Sequence, residues 1–463
     1  MLTKSSLRSL LLTLSLVAVL GAAAAAQGPS KKDLRKSEQL VEQGMRAFNQ
    51  KNYRNAVERF AEAIVLVPRN GAAHFGKGRS HLMLKENDAA LSEFKLAEEA
   101  GFSPIEISKY RWALLFEKNE TDAALADVAR ALQAEPGNQA LLRAAGDLYY
   151  RKQNYNEALA SYQKAAVDAP NDGNLYYGIA LVQQALGNVE GQEQAATTGI
   201  SKPNQYATEL QLLLADALHK QRKYDPALAA YNKVLAAKPD SIEIYRLMGE
   251  IYRAQSKFAD AIEITKRALR QWPQSGELYT DISWYYSLNG NTNEAIAAAK
   301  SATSLLPTAY MGFTNLCRAH NDAGQWAQAI FACNGALKLN PDDGETHFYL
   351  GRALKEVGRT ADAARSFDKA VVGLVKFTQN NPDYSDGFYL LGNAYFNDSQ
   401  FDKAVEAYRR SLDLAPNFPR ARYNAGVSFI RLKNKNAAVE QYNALVNLDK
   451  NLAERLKTEI DKM

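Results

Sequence analysis

Histidines and acidic residues are the side chains of this sequence most able to do catalytic or metal chemistry, but their spacing gives them no common site. The five histidines are scattered along the chain, and none stands in an HExxH or Cys/His arrangement that would ligate zinc. The sequence also lacks a GxxxxGK[ST] phosphate loop, a GxGxxG turn after a strand and a GxSxG nucleophile elbow. We therefore predict no metal, no cofactor and no enzymatic activity.

A period of 34 residues organises the chain after residue 36. Segments 139–172 and 242–275 both place Gly eighth, Tyr eleventh, Ala twentieth and Pro thirty-second. Each repeat has two apolar stripes at helical spacing on either side of a turn, which predicts a helix hairpin. Twelve repeats can be placed, at 37–70, 71–104, 105–138, 139–172, 173–207, 208–241, 242–275, 276–309, 310–343, 344–384, 385–418 and 419–452.

Small residues recur where the two helices of a repeat should cross. The twentieth residue is Ala in eleven of the twelve repeats, and the eighth is Gly in seven. A glycine inside a helix costs about 1 kcal/mol relative to alanine, so its repetition indicates close packing. Tyrosines at the seventeenth and twenty-fourth positions are interpreted as packing residues.

This series of small, aromatic, Ala, aromatic and Pro positions over residues 37–452 resembles the tetratricopeptide repeat family. The resemblance implies an all-α fold, a right-handed superhelical solenoid of about twelve helix-turn-helix repeats. Members of the family bind peptides and partner proteins on a concave face lined by the first helix of each repeat. Residues 453–463 are predicted to form a capping helix, because Leu456 and Ile460 lie on one apolar stripe with Leu452.

The fifth, ninth and twelfth residues of each first helix share one face, and the resemblance makes that face concave. Arginine and aromatic residues there are of the types enriched at protein interfaces. The alternative is that each packs against the next helix. The Lys–Asn–Asn–Lys–Arg set by which some relatives grip a C-terminal carboxylate does not appear. The predicted groove residues are Arg79, Arg143, Tyr150, Tyr177, Arg246, Arg253, Trp284, Arg318, Phe348, Arg352, Tyr389 and Asn393.

The two cysteines, Cys317 and Cys333, occupy the eighth and twenty-fourth positions of repeat 310–343. The first lies on the opening helix and the second on the returning helix, one turn beyond Ala329, so the two should be close. In an exported chain this favours a disulfide. The alternative is a pair of small buried apolar residues.

The first 26 residues have the layout of a secretory signal peptide. Lys4 and Arg8 precede an apolar stretch that ends in small residues, with cleavage expected after Ala26. The alternative is an uncleaved anchor, because the apolar run approaches the length of a membrane span. Residues 27–36 would form an N-terminal tail. The net charge of +5 is too small over 463 residues to indicate nucleic acid as a partner.

Two repeats depart from the pattern and divide the expected array. Repeat 173–207 has Gln192 where Ala is expected. It could be a hinge between residues 37–172 and 208–463, or a repeat that has simply drifted. Repeat 344–384 has seven extra residues. Helical continuation through them would add about 10 Å, forming either a docking ridge or a longer solvated helix.

These observations predict a non-enzymatic scaffold of the cell envelope, periplasmic or secreted, that binds partner polypeptides in its groove. Two alternatives remain at this point. One is a carbohydrate-binding or wall-associated module that uses its Tyr and Trp faces as sugar platforms. The other is a subunit that positions a separate catalytic partner. The sequence does not determine the oligomeric state or the identity of the partner.

Overall fold

The computed structural model describes residues 28–463, and within that range it contains 25 α-helices and no strand. The predicted all-α repeat fold is therefore confirmed. The predicted signal peptide lies outside the described residues. No helix in residues 28–463 combines the length and apolarity that crossing a membrane requires.

The chain divides into two compact units, Met1–Gln221 and Arg222–Met463, called here the N-terminal unit and the C-terminal unit. The helices of the N-terminal unit are α1 (Lys31–Asn49), α2 (Tyr53–Leu66), α3 (Gly71–Met83), α4 (Asn87–Glu99), α5 (Pro104–Glu117), α6 (Thr121–Ala134), α7 (Gln139–Arg151), α8 (Tyr155–Asp168), α9 (Gly173–Ala185), α10 (Val189–Ile200) and α11 (Ala207–Lys220). Helix α1 starts within the predicted tail, where Ser30 caps it by accepting the Asp33 N–H.

The C-terminal unit continues the alternation of first and second helices and ends on a single helix. Its helices are α12 (Tyr224–Ala237), α13 (Ile242–Ala254), α14 (Phe258–Gln271), α15 (Gly276–Asn289), α16 (Thr292–Leu305), α17 (Tyr310–Asp322), α18 (Trp326–Leu339), α19 (Gly344–Glu356), α20 (Thr360–Asn380), α21 (Ser385–Asn397), α22 (Phe401–Leu414), α23 (Pro419–Arg431), α24 (Lys435–Leu445) and α25 (Lys450–Ile460).

The turn inside each repeat uses a left-handed residue at the fifteenth position. Gly187, Gly290, Gly324 and Gly358 adopt it, but so do non-glycine residues, among them Ser399 with φ 63°. A left-handed conformation costs a non-glycine residue about 1–2 kcal/mol. Packing of the two helices therefore imposes the turn even where the local sequence does not favour it.

The small eighth residue of a repeat makes room for the aromatic ring at its twenty-fourth position. A Cβ on Gly146 would lie 2.7 Å from the Tyr162 ring, and one on Gly392 would lie 2.5 Å from the Tyr408 ring. Both tyrosines are buried, as the packing interpretation predicted. The twentieth-position alanines, such as Ala158 and Ala404, are fully buried at the same crossings.

The seven extra residues of repeat 344–384 lengthen its second helix, α20, to 21 residues. Val372 on this extension is exposed, whereas Leu374 and Thr378 are buried. Leu374 and Phe377 also line a cavity of the C-terminal unit. The extension is therefore more than a longer solvated helix, because its inner face forms part of a wall.

Repeat 173–207 replaces the missing alanine with a hydrogen-bonded amide. Gln192 is buried, and its Nε2 donates to the Leu213 carbonyl at 2.8 Å and to Asp216 at 2.9 Å. A buried amide with satisfied donors holds the neighbouring helix in place of close apolar packing. The role of this repeat as a hinge stays a prediction.

Cys317 of α17 and Cys333 of α18 are joined by a disulfide, with their Cα atoms 5.1 Å apart. The bridge fastens the two helices of repeat 310–343 beside Arg318. At the end of the unit, α25 covers the last repeat, and its Leu456 and Ile460 are buried. This helix gives the apolar end of the array a polar outer face.

Candidate binding groove

First helices α13, α15, α17, α19, α21 and α23 of the C-terminal unit surround one cavity of about 1170 Å³, called here the C-terminal cavity. Pockets for small ligands are usually about 300–1,000 Å³, so this one is large. Of the predicted groove residues, the structure brings seven together in its wall. They are Arg253, Trp284, Arg318, Phe348, Arg352, Tyr389 and Asn393.

Arg246 is the one predicted residue of this unit that does not line the cavity. Its Nε donates to Asp281 at 2.6 Å, and its Nη1 lies 3.9 Å from Glu243. The side chain is therefore bound to neighbours on its own and the next first helix. Here the alternative of packing against the next helix describes the structure better than a groove contact does.

Trp284 lies beneath two arginines. The guanidinium carbon of Arg253 is 4.7 Å from the centre of the Trp284 ring, and that of Arg318 is 5.5 Å away. Arg318 is also 5.5 Å from the ring of Tyr349. Such cation–π contacts strengthen when water is excluded. Trp284 therefore positions the two arginines of the cavity wall.

Arg253 ties together repeats that are distant in the sequence. Its Nη1 bonds to Asp386, 133 residues away, and its Nε donates to Glu250 at 2.9 Å. Its guanidinium also lies 5.1 Å from the Tyr384 ring. Because three whole repeats separate 242–275 from 385–418, these contacts join first helices across the groove. Burial raises the pKa of Asp386 above its ordinary value, although Arg253 opposes this.

A second cross-groove contact lies at Arg222, the left-handed residue before α12. Its Nη1 donates to the Leu414 carbonyl at 3.1 Å, and its Nη2 lies 3.9 Å from Asp383. We call Arg222, Arg253, Asp383, Tyr384 and Asp386 the clasp. The clasp bridges one side of the C-terminal cavity, so a ligand either enters from elsewhere or displaces it.

Arg318 is the most deeply buried charge of the cavity wall, with 6% of its surface exposed. Its Nη2 bonds to Glu345, while its Nε and Nη1 have no hydrogen-bond partner. Nearby, Arg352 Nη1 lies 3.6 Å from Asp322. Burial raises the pKa of Asp322, and Arg352, Arg318 and Arg420 all act to lower it. Three guanidinium groups therefore lie within electrostatic range of one carboxylate.

The far end of the cavity is organised by amides and rings. Asn393 Oδ1 accepts hydrogen bonds from the Tyr408 hydroxyl and from Asn424 Nδ2, both at 2.7 Å. Tyr389 packs on Phe418 with ring centres 4.8 Å apart. These contacts fix the wall residues in one arrangement, which lowers the entropy cost of binding.

Sequence reasoning missed several cavity residues that belong to the same stripe. Glu345, Asp386 and Arg420 are the second residues of their repeats, three positions before the fifth. Asp322 is the thirteenth residue of its repeat, four positions after the ninth. Extending the helical stripe by one turn at each end would have found all four.

In the N-terminal unit, the predicted groove residues contact side chains of their own unit. The Arg79 guanidinium lies 4.5 Å from the Phe48 ring and 4.9 Å from the Tyr110 ring. Tyr150 packs against Tyr155 at 5.7 Å. Tyr177 stacks on Tyr206 at 4.2 Å.

Arg143 acts on its neighbour Asp147, whose pKa is raised by burial although Arg143 and Arg151 oppose this. Asp147 also accepts a hydrogen bond from the Tyr162 hydroxyl. Arg79, Tyr150 and Tyr177 contact aromatic rings of their own unit, and none of the four predicted groove residues of this unit lines the C-terminal cavity.

Among residues 28–463, no group of three His, Cys, Asp or Glu side chains is arranged to hold a metal ion. The ionisable side chains named in the cavity wall contact one another or an aromatic ring. The arrangement is suited to holding a ligand by contact, charge and hydrogen bonds.

Comparison with known families finds the tetratricopeptide repeat along most of the chain. One tetratricopeptide repeat family matches residues 41–104, 177–242, 212–276, 246–310 and 315–383. Related repeat families match residues 146–187, 385–418 and 419–452. The matched segments include the first helices that surround the C-terminal cavity, except for residues 311–314 of α17.

Individual relatives share short segments. Human Protein O-mannosyl-transferase TMTC1 is 34% identical over 110 residues, which are 24% of this chain and 12% of that protein. The Peroxisomal targeting signal receptor of Candida albicans is 37% identical over 70 residues, which are 15% of this chain and 12% of the receptor. The chain thus matches a small fraction of the length of either relative.

Among solved structures, a tetratricopeptide repeat protein from Parabacteroides merdae aligns with a TM-score of 0.46 and 14% identity. The alignment covers 56% of this chain and 99% of that one.

Proposed function

The chain belongs to the tetratricopeptide repeat family, and on that premise we propose that it is a scaffold that binds a partner polypeptide in the C-terminal cavity. The observation that carries the proposal is the gathering of arginine, asparagine and aromatic side chains from six successive first helices into one cavity wall. These residue types dominate protein-binding hot spots because they offer large contact areas with few rotamers lost.

The segment bound there is an extended or loosely folded stretch. The clasp bridges the groove of the C-terminal unit, and a folded domain would have to break all of its contacts to enter. An extended chain presents side chains to alternate walls and exposes its backbone to amides such as Asn393. One relative that matches a short segment of the chain is a receptor for a targeting signal, the Peroxisomal targeting signal receptor of Candida albicans.

The proposal favours binding over catalysis and over a sugar platform. A glycan platform needs an open aromatic face, whereas Trp284 is in contact with Arg253 and Arg318. A catalytic role needs a reactive group poised toward a substrate. In the cavity wall, the buried carboxylate of Asp386 is instead engaged by Arg253.

Photo-crosslinking from Met311 tests this function. Met311 lines the cavity and is 49% exposed, so a photoreactive residue there should not disturb packing. The control position is Phe331, on the second helix of the same repeat and 82% exposed. We expect recurrent polypeptide adducts from position 311 and not from 331. Equal adducts from both positions, or none from a folded protein at 311, would contradict the proposal.

We also propose that the protein is exported. The support is the signal-like composition of residues 1–26 and the disulfide between Cys317 and Cys333, a bond that persists in oxidising compartments. N-terminal sequencing of the protein recovered from cell fractions tests this. A mature start near Gln27 in an extracytoplasmic fraction is expected, and an intact Met1 in the cytoplasm would contradict it.

A further inference from the structure

We propose that the C-terminal cavity recognises an acidic side chain of the bound polypeptide, and that its carboxylate is received at Arg318, Arg352 and Arg420. The inference rests on the proposed function and adds the chemistry of the ligand. It follows from the supply of donors and acceptors around the cavity and from the placement of its charges.

Arg318 provides unused donors. It is nine-tenths buried in the cavity wall and bonds through Nη2 to Glu345, but its Nε and Nη1 have no partner. Leaving the donors of a buried cation unpaired is costly. A carboxylate is the strongest acceptor a polypeptide side chain can offer to a guanidinium group, and it bonds in a geometry that matches the guanidinium fork.

The carboxylates around Arg253, the other arginine that contacts Trp284, already act as hydrogen-bond acceptors. Glu250 accepts from Arg253 at 2.9 Å and from the Tyr285 hydroxyl at 3.0 Å. Asp386 accepts from Arg253. A basic ligand group would therefore meet carboxylates that are already engaged, with the buried cation of Arg318 close to them.

The arrangement of charges around the cavity also favours an acidic ligand group over a basic one. Around Arg253 there are two carboxylates for one guanidinium, whereas Arg352 and Arg420 share the single carboxylate of Asp322. Arg318 is balanced by Glu345. The whole lining has six basic and seven acidic residues, so the local grouping of arginines around Asp322, and not the net charge of the cavity, selects an acidic group.

The apolar wall beside these arginines sets the context of the acidic residue. Phe348 and Tyr389 lie in the same lining, with Leu374 and Phe377 from the extended helix α20. A low local dielectric strengthens an ion pair whose partners stay hydrogen-bonded. We therefore expect the acidic residue to be flanked by apolar residues and not to lie in a long acidic run.

The experiment uses random dodecapeptides displayed on phage and selected against the full chain. The most enriched peptide is then synthesised with Glu, Gln, Lys or phosphoserine at its acidic position, and with a free or amidated C-terminus. Binding is measured by fluorescence anisotropy. The test variant is Arg352→Gln with Arg420→Gln. The control is Arg270→Gln with Arg409→Gln, two exposed arginines on second helices, which changes the net charge equally.

We expect enrichment of Asp or Glu, and at least about tenfold weaker binding of the Gln peptide, as for a charge-assisted hydrogen bond. That loss should disappear in the Arg352/Arg420 variant and persist in the control. Enriched peptides without an acidic residue, or equal losses in both variants, would overturn the inference and leave the proposed function standing. So would a requirement for a free C-terminus, or much tighter binding of phosphoserine. Failure to enrich any peptide, together with no crosslinks from position 311, would remove the proposed function itself.

Discussion

The two units of this chain use the same 34-residue pattern but place their charges differently. In repeats 71–104 and 105–138 of the N-terminal unit, a basic residue at position seven and a polar residue at position four bind a buried carboxylate at position twenty-three. Lys77 and His74 bind Glu93, and Arg111 and Ser108 bind Asp127. These contacts lie within one repeat, and Arg111 Nη1 also donates to Glu98 of the preceding repeat at 2.6 Å.

The C-terminal unit has no carboxylate at position twenty-three in its six complete repeats, where Ile264, Ala298, Ala332, Ser366, Ala407 and Gln441 stand instead. Its charges lie on the groove stripe and pair between repeats, as Arg318 does with Glu345 and Arg253 with Asp386. The comparison indicates that the carboxylates at position twenty-three stabilise the helix pairs of the N-terminal unit. In the C-terminal unit, the charged residues on the groove stripe form part of the cavity wall instead.

The largest effect we expect is from removing a within-repeat carboxylate. Asp127→Ala leaves Arg111 without the partner that its Nε contacts at 2.7 Å and leaves Ser108 unpaired. Breaking a buried ion pair costs about 3–5 kcal/mol. Hydrogen exchange of amides in 105–138 should accelerate accordingly. Asp122→Ala, exposed on the same helix, serves as the control. Equal exchange in the two variants would contradict the structural role.

Removing the disulfide of the C-terminal unit should have the next largest effect on the free energy of unfolding. Replacing Cys317 and Cys333 with Ser removes a bridge with a sequence separation of 16 residues. The loss of stability should be about 3 kcal/mol by loop-closure entropy. Intact mass without reductant, two hydrogens below the reduced value, checks that the bond forms. An unchanged urea midpoint in the double variant would show that the bond contributes no stability.

The coupling free energy between Arg253 and Asp386 of the clasp should be smaller than the two effects above. A double-mutant cycle of Arg253→Ala and Asp386→Ala should give a coupling free energy of about 2 kcal/mol, because the pair is largely buried. The exposed pair Lys257 and Asp225, whose charged atoms are 3.4 Å apart, should give less than about 0.5 kcal/mol. Comparable couplings for the two pairs would mean that the clasp is only a surface contact.

The pH dependence of folding stability should have opposite signs for a carboxylate inside a repeat, such as Glu93, and for a carboxylate on the groove stripe, such as Asp386. Burial raises the pKa of Glu93, but hydrogen bonds from Lys77 and His74 outweigh it and leave the pKa below the ordinary 4.5. Glu93 therefore stabilises the fold above pH 4.5, and this contribution is lost as the pH falls through its lowered pKa. Asp386, with its raised pKa, has the opposite sign: its protonation favours the folded state while weakening the bond to Arg253.

Carboxyl-resolved NMR titration measures both pKa values directly. Asp386 should take up its proton above the ordinary Asp value of 3.8, and Glu93 below 4.5. Glu93→Gln should flatten the acid dependence of hydrogen exchange in repeat 71–104. If Asp386 titrated below the ordinary value, its burial beside Arg253 would not be as the structure shows.

Much of the molecule was accessible from the sequence. The period predicted the helix pairs, and the small eighth and twentieth residues predicted the crossings that Gly146 and Ala158 make. Seven of the predicted groove residues lie together in the wall of the C-terminal cavity, and their role in binding stays a prediction. Arg246 and the four residues of the N-terminal unit share that stripe but contact their neighbours, because local spacing fixes the face of a helix and not what lies opposite it.

The sequence by itself determined the alternation of helix pairs and the small residues at which the two helices of a pair cross, since these features depend on residues within one or two repeats. Only the tertiary structure decided that Arg253 would meet Asp386 across 133 residues and that Arg318 would be buried with unused donors. Such contacts depend on the small rotations accumulated over three intervening repeats. The sequence of a single repeat does not determine the sum of these rotations. The cavity and its clasp are therefore properties of the folded array.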